Sequence, residues 1–378
     1  MGCKRYNERF TISSTCSSCW EEDVGDSSSR PLEDTTYMNV IRVTCDSPKF
    51  ENRLVLANGE EWNRNIKCPR KGGRRRTVDC KSILVDQSGH GNFSSIQSAI
   101  DSVQPYNKYW TCIYIKAGTY REKVQIPFDK PYISLKGEGK KLTKIVWDGH
   151  ESLGQSATFA SFADNIVVRR ISMVNSYNSP GSNNPRAPAV AALIAGDKSS
   201  FYGCGFSGLQ DTLWDVQGRH YFKKCSIHGA VDFIFGNGQS IYERCRIQVL
   251  GNELQMGLPG YITAQGRTDP NDADGFVFKE CEIIGSGSAY LGRAWREYAR
   301  VLFYNSNFTN VIQPQGWDAW NFAGHEDQLT FVEYGNFGPG SASFDRVKWL
   351  KRLDWNAMIQ LISITFIDNE NWVVNQPS

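Results

Sequence analysis

The chain has 378 residues, enough for one large domain or two ordinary ones, and its 40% hydrophobic and 22% charged residues are typical of a globular protein. The formal net charge is +2, with +3 in residues 1–77 and −1 in the remainder, so we expect no nucleic-acid partner. No apolar run approaches the roughly eighteen residues of a membrane span, so we expect no membrane partner.

Residues 1–77 show no repeat and no periodic hydrophobic pattern. We interpret them as a separate, poorly structured N-terminal extension ahead of a main domain over residues 78–378. No secretory signal peptide is legible, because the first twenty residues contain no apolar segment. Seven basic residues between Arg64 and Arg76 are interpreted as a solvated linker, with a protease-processing site as the alternative.

The first regular element expected in the main domain is a helix over residues 92–103. Its apolar residues recur at helical spacing: Phe93, Ile96, Ala99, Ile100 and Val103. Ser94 or Ser95 is a plausible N-cap. We expect this helix to cap one end of the repetitive structure that follows it.

Five later segments share one pattern: an aromatic residue, two variable positions, a small residue, one variable position, then Ile or Phe. The small residues are Cys204, Cys225, Cys245, Cys281 and Ser306, at intervals of 21, 20, 36 and 25. Residues 167–173 fit the pattern more loosely, with Ile171 in the small position.

A repeat of this length built on short strands indicates a solenoid, here an all-β parallel β-helix with one strand per coil. Cysteines that recur in register are expected to form an apolar column inside the coils and not disulfides. The longest interval predicts a protruding loop over residues 251–275, which would wall a binding cleft.

Asp232 lies in an apolar stretch, "GAVDFIFGNG" (229–238), where an unpaired carboxylate would be costly. It follows Cys225 by seven residues, just as Asp211 follows Cys204, so the two aspartates occupy equivalent positions in consecutive coils. Neighbouring strands lie about 4.8 Å apart, so the carboxyl groups should stand side by side, with the pKa of one raised. Such a pair suits a nucleophile beside a general acid/base, whereas a stacked polar ladder is the structural alternative.

Several motifs resemble the signatures of plant pectin methylesterases, in order and in spacing. They are "AGTYREKV" (117–124), "GDKSSFYGCGF" (196–206), "LQDTLWD" (209–215), "GAVDFIFGNG" (229–238), "YLGRAWREYARV" (290–301) and "FIDNENWV" (366–373). The resemblance runs from about Val78 to the C-terminus. It implies a right-handed parallel β-helix that removes methyl esters from pectin and releases methanol.

The resemblance also implies a role for each residue of the site. Asp232 would be the nucleophile that attacks the ester carbonyl. Asp211 would protonate the departing methanol and then act as base on the hydrolytic water. Gln210 would donate to the oxyanion, and Arg293 would orient Asp232 and keep it ionised.

Four aromatic residues are assigned to substrate binding by the same resemblance. Trp295 and Trp317 would form a wall against the sugar, and Phe235 and Tyr120 would also contact it. Plain packing in the core is the alternative for either tryptophan.

The chain departs from the family pattern at Pro188, where "PAVAA" (188–192) replaces the usual "QAVAL" and removes a second oxyanion glutamine. Ala294 also replaces a proline that is usual in the family. The change at position 188 leaves a second function open, a β-helix protein that binds polysaccharide with weak or no esterase activity.

Other pectin-active β-helix enzymes fit less well. The "GHG" at 89–91 precedes the predicted helix and is not near the aspartate pair, as a polygalacturonase would require. A pectate lyase needs a calcium site, and the only acidic cluster, "DPNDADG" (269–275), is interpreted as a loop. We expect no metal and no cofactor. The resemblance implies methyl-esterified pectin as substrate, a monomer secreted to the cell wall, and a proteinaceous pectinesterase inhibitor as a candidate partner.

Overall fold

The computed structural model describes residues 54–55, 61–62, 78–179, 182, 184–341 and 344–378. Most of the predicted extension therefore lies outside the described residues. Within it, the strands β1 (Leu54–Val55) and β2 (Glu61–Trp62) form an antiparallel pair. Thr77–Ser378 is a separate compact unit. The assignment of two functional domains stays a prediction.

The main unit is built almost entirely from short strands. In chain order they are β3 (Lys81–Val85), β4 (Thr111–Ile115), β5 (Gly118–Tyr120), β6 (Val124–Ile126), β7 (Ile133–Gly137), β8 (Thr143–Trp147), β9 (Phe159–Ser161), β10 (Ile166–Arg169), β11 (Ser172–Asn175), β12 (Ala192–Ile194), β13 (Ser199–Tyr202), β14 (Gly205–Ser207), β15 (Leu213–Asp215), β16 (Arg219–Lys223), β17 (Ser226–Gly229), β18 (Ile234–Gly236), β19 (Gln239–Glu243), β20 (Arg246–Leu250), β21 (Gly260–Gln265), β22 (Gly275–Lys279), β23 (Glu282–Ser286), β24 (Ala289–Ala294), β25 (Arg300–Tyr304), β26 (Asn307–Phe308), β27 (Trp317–Asp318) and β28 (Thr330–Tyr334).

These strands stack in parallel into three sheets. The first sheet has the order β28-β25-β22-β19-β16-β13-β10-β7-β4-β3, the second β26-β23-β20-β17-β14-β11-β8-β5, and the third β27-β24-β21-β18-β15-β12-β9-β6. From β4 to β27 each coil adds one strand to every sheet, and β3 and β28 extend the first sheet alone. This stacking confirms the right-handed parallel β-helix. The expectation of one strand per coil is wrong, because each coil contains three.

The repeated segments are corners of the coil. Each spans the end of a first-sheet strand, one turning residue and the start of a second-sheet strand. The turning residues have φ between 47° and 63°, the left-handed region: Arg170, Gly203, Lys224, Arg244, Glu280, Asn305 and Gly335. The sequence repeat therefore corresponds to a turn that recurs once per coil. The third-sheet strand of each coil is not part of the repeated segment.

Two columns of side chains fill the interior behind these corners. The predicted cysteine column is confirmed, since four free cysteines are buried in consecutive coils: Cys204, Cys225, Cys245 and Cys281. Each thiol donates to a backbone oxygen of the preceding coil, as Cys225 Sγ does to Phe201 O at 3.4 Å. Beside them, aromatic rings stack with neighbouring centroids 4.5 to 5.0 Å apart: Phe201, Phe222, Tyr242, Phe278 and Phe303. Cys80 and Cys112 form a disulfide, a bond not predicted from the sequence.

The remaining elements flank this stack. The helix α1 (Ile96–Asp101) is shorter than predicted and begins after the N-cap Ser95, and its capping role stays a prediction. The helix α2 (Trp355–Ile362) packs with the C-terminal segment on the outer face of the first sheet. Short 3₁₀ helices cover Gly251–Glu253, Trp320–Phe322, Glu326–Gln328 and Ile364–Phe366. No helix in the described residues is long and apolar enough to cross a membrane.

The predicted loop over residues 251–275 is wrong in part. Its middle forms β21, which joins the third sheet between β18 and β24. Two shorter loops remain, over residues 251–259 and 266–274. The first carries Met256, whose side chain is 98% exposed.

Candidate active site

Asp211 and Asp232 occupy the corner between the second and third sheets. Asp211 lies between β14 and β15, and Asp232 lies between β17 and β18, one coil further on. The backbone N–H of Asp211 donates to the carbonyl of Val231 at 3.0 Å, which fixes the two corners against each other. The predicted register is therefore confirmed. Both aspartates have left-handed backbones, with φ of 59° and 46°, a conformation that is strained for residues other than glycine.

The guanidinium of Arg293 donates two hydrogen bonds to the carboxylate of Asp232. Its Nε donates to Asp232 Oδ1 at 2.8 Å and its Nη2 donates to Oδ2 at 2.5 Å. Arg293 lies on β24, in register with Ala264 on β21 and Phe235 on β18. Because the intervening Ala264 is small, the guanidinium can reach back across it to the corner that holds Asp232. This bidentate geometry fixes both oxygens of the carboxylate.

Two aromatic rings hold the guanidinium of Arg293 in place. Its central carbon lies 4.1 Å from the ring centroid of Tyr261 and 3.7 Å from that of Trp320. The Tyr261 hydroxyl donates to Asp318 Oδ2 at 3.1 Å. Cation–π contacts with both rings restrict the rotation of the Arg293 side chain. Sequence reasoning missed Tyr261 and Trp320, which lie outside the repeat and outside the family motifs.

The two carboxyl groups have raised pKa values for different reasons. Burial, followed by the negative charge of Asp232, raises the pKa of Asp211 from 3.8 to about 7, while Arg293 opposes the rise. Burial also raises the pKa of Asp232, and the hydrogen bonds and charge of Arg293 work against it. Burial therefore outweighs Arg293 in the direction of this pKa shift, and the expectation that Arg293 keeps Asp232 ionised stays a prediction. The arrangement fits a proton donor at Asp211 beside a carboxylate held by a cation at Asp232.

Gln210 lies directly before Asp211, and its side chain is half-buried. Its backbone oxygen accepts from the N–H of Ala189 in the preceding coil at 3.3 Å. Pro188 is exposed and immediately precedes Ala189. Position 188 therefore lies one coil before Gln210 and next to a residue that is hydrogen-bonded to it.

An aromatic cluster lies beside the aspartates on the outer face of the third sheet. Phe235 stacks on Trp214 with centroids 5.4 Å apart and meets Trp295 edge-on at 6.0 Å. Phe235 is only 4% exposed, whereas both tryptophans are half-buried. Trp214 and Trp295 therefore offer most of the aromatic surface, and Phe235 supports them from below. Sequence reasoning missed Trp214, although it lies in the same motif as Asp211.

Two of the predicted binding residues are inside the coil, which corrects their assignment. Trp317 is 1% exposed, stacks on Phe331 at 4.4 Å and donates from Nε1 to Glu333 at 2.8 Å. Tyr120 is also 1% exposed, and its hydroxyl donates to the carbonyl of Lys116 at 3.1 Å. Side chains with so little exposed surface cannot form the wall of a sugar site.

No group of three or more His, Cys, Asp or Glu side chains in the described part of the chain is arranged to hold a metal ion. That the protein needs no metal or cofactor stays a prediction.

Comparison with known proteins agrees with this geometry. A model of the Pectinesterase family matches residues 82–368. Probable pectinesterase 29 of Arabidopsis thaliana is 58% identical over 79% of this chain and 90% of its own length. Probable pectinesterase 55 of the same plant is 58% identical over 78% of this chain and 91% of its own.

Solved structures of pectin methylesterases are also similar to this chain. The pectin methylesterase from carrot is 32% identical with a TM-score of 0.71, over 75% of this chain and 92% of that one. The deglycosylated pectin methylesterase from Aspergillus niger is 30% identical with a TM-score of 0.65, over 79% of this chain and 98% of that one. The chain therefore belongs to the pectinesterase family, carboxylic ester hydrolases that remove methyl esters from pectin.

Proposed function

We propose that Asp232 and Asp211 carry out this hydrolysis as nucleophile and acid/base. The observation that carries the proposal is the double hydrogen bond from Arg293 to Asp232, with Asp211 in the equivalent position one coil away. A carboxylate fixed by a guanidinium remains available to attack, while a neighbour with a pKa of about 7 can hold a proton.

In the first half-reaction, an oxygen of Asp232 attacks the carbonyl carbon of a galacturonate methyl ester. The tetrahedral oxyanion accepts a hydrogen bond from the side-chain amide of Gln210. The bond to the methoxy oxygen then breaks, and Asp211 gives its proton to the departing methanol. The product is an anhydride between Asp232 and the galacturonate.

In the second half-reaction, Asp211 is a carboxylate and takes a proton from water. The resulting hydroxide attacks the galacturonate carbonyl, and the bond to Asp232 breaks. Asp232 leaves as a carboxylate and Asp211 is protonated again, so the enzyme returns to its initial state. Every step uses side chains of the chain itself.

Trp214 and Trp295 contact the sugar rings of the polymer, since their faces are the accessible part of the aromatic cluster. We further propose that the protein is secreted to the cell wall, where its substrate lies, and acts there as a monomer. A proteinaceous pectinesterase inhibitor would compete with pectin for the same surface.

Replacing Arg293 by lysine tests the proposed roles of Arg293 and Asp232, because lysine keeps the positive charge but cannot make the bidentate hydrogen bond to Asp232. We expect kcat for methanol release from methylated pectin to fall at least tenfold. Arg352→Lys is the matched control, since Arg352 is exposed in the segment just before α2. Wild-type kcat in the Arg293→Lys enzyme would contradict the proposed arrangement.

A further inference from the structure

The outer face of the second sheet carries an open groove of about 650 Å³. Its floor is a row of small residues in register across consecutive coils, Ser172, Gly205 and Ser226. A second row beside it contains Ser207 and His228. Hydroxyl and imidazole groups thus line the floor, and none of the lining residues is Phe, Tyr or Trp.

The walls of the groove are strongly cationic. Its five basic residues are Lys140, Lys141, Lys224, Arg244 and Arg246, against the two carboxylates of Glu280 and Glu282. Those carboxylates pair with the arginines, Arg244 with Glu280 at 2.8 Å and Arg246 with Glu282 at 2.9 Å. The lysines therefore give the groove an excess of positive charge, although residues 78–378 together carry a net charge of −1.

The turn that carries Lys140 is fixed over the groove. Lys140 Nζ donates to Ser226 Oγ at 2.5 Å, and the Lys140 carbonyl accepts from Ser172 Oγ at 2.6 Å. Burial lowers the pKa of His228, and the charges of Lys140 and Arg246 lower it further, so the positive field reaches the floor. The groove is thus a concave, preorganised surface with a net positive charge.

We propose that this groove is a second binding site for pectin, specific for segments that have already lost their methyl esters. Each turnover converts a neutral ester into a carboxylate, so the product polymer is a polyanion that the lysines complement. Coils repeat about every 4.8 Å, close to the length of one 1,4-linked sugar, so a polymer lying along the stack crosses about one coil per sugar. The hydroxyl-lined floor offers partners for the sugar hydroxyls.

The position of the groove links it to the reaction. The strands β14 and β17 line it and then lead directly into Asp211 and Asp232. A de-esterified segment bound there would hold the enzyme on the polymer near fresh esters. Single-stranded nucleic acid fits less well, because the groove has no aromatic platform for bases. The proposal rests on the polymer substrate of the family and not on the roles assigned to Asp211 and Asp232.

The test compares two doubly substituted full-length proteins that lose the same charge. One carries Lys141→Gln and Lys224→Gln in the groove, and the other carries Lys108→Gln and Lys348→Gln at exposed positions elsewhere. Binding to polygalacturonate at low salt is measured by titration calorimetry. We expect about tenfold weaker binding for the groove variant and no change for the control.

Three further measurements make the result specific. The KM for fully methylated pectin, taken from initial rates, should be the same in all proteins, and so should kcat on a methylated oligosaccharide too short to reach both sites. An equal loss of polygalacturonate affinity in the groove and control variants, or unchanged affinity in the groove variant, would overturn the proposal. So would a groove variant that loses binding to single-stranded DNA while keeping polygalacturonate. Because binding is measured without turnover, a failure of the catalytic assignment would appear separately in methanol release.

Discussion

Asp211→Asn should stabilise the fold above neutral pH. Burial and the charge of Asp232 raise the pKa of Asp211 from 3.8 to about 7. Between these values the unfolded chain has released the proton while the folded protein still holds it. The free energy of unfolding of the wild type therefore decreases as the pH rises through this interval, and stays at the lower level above it.

The magnitude follows from the size of the pKa difference. Each unit corresponds to about 1.4 kcal/mol, so a difference of roughly three units amounts to about 4 kcal/mol above pH 7. Asparagine has a similar shape and no charge to bury. The Asp211→Asn protein should therefore gain up to about 4 kcal/mol there, and the gain should shrink toward zero as the pH falls to about 4.

Guanidinium-induced unfolding of the full chain at about pH 8 and about pH 4.5 measures both differences. Asp327→Asn is the control, since that side chain is exposed and should give no pH-dependent gain. An equal shift of the Asp211→Asn protein at the two pH values, or no gain at the higher one, would refute the reasoning. Either result would mean that burial does not hold the carboxyl group protonated.

Three further predictions concern activity. Above about pH 7, kcat/KM for methanol release should fall about tenfold per pH unit as Asp211 loses the proton it must donate, and a flat profile would argue against that role. Trp214→Ala should raise KM for pectin, whereas Trp317→Phe should lower the melting temperature and leave KM unchanged; the reverse pattern would show that the buried ring contacts substrate. Pro188→Gln should raise kcat, by up to about 10²–10³-fold, with little change in KM, provided circular dichroism shows a native fold. Unchanged or lower kcat in that folded variant would show that position 188 does not limit the rate.

The corners of the coil could be predicted from the sequence because their requirements are local. A small residue must fit behind each turn, so Cys204 and Cys225 recur at a readable interval. The interval then fixes the positions that follow, which is why the sequence alone places Asp211 and Asp232 in register. The third strand of each coil was not predicted, because the repeated segments do not include it.

The aromatic residues were harder to place. Whether such a side chain points into the coil or out of it depends on its position in the alternation along the strand and on contacts with residues distant in sequence. The strand that carries Trp317 has only two residues, too few for alternation to show that the ring points inward while Trp320 is exposed. Tyr261 lies in a segment interpreted as a loop, and only its pairing in the third sheet brings it against Arg293.

Methanol release by the full chain carrying Asp232→Asn tests the central claim most directly. The amide has nearly the shape of the carboxylate but cannot attack the ester, so the proposed mechanism predicts a loss of about 10³-fold or more in kcat with an unchanged circular dichroism spectrum. Turnover close to that of the wild type in the folded Asp232→Asn protein would show that Asp232 is not the nucleophile.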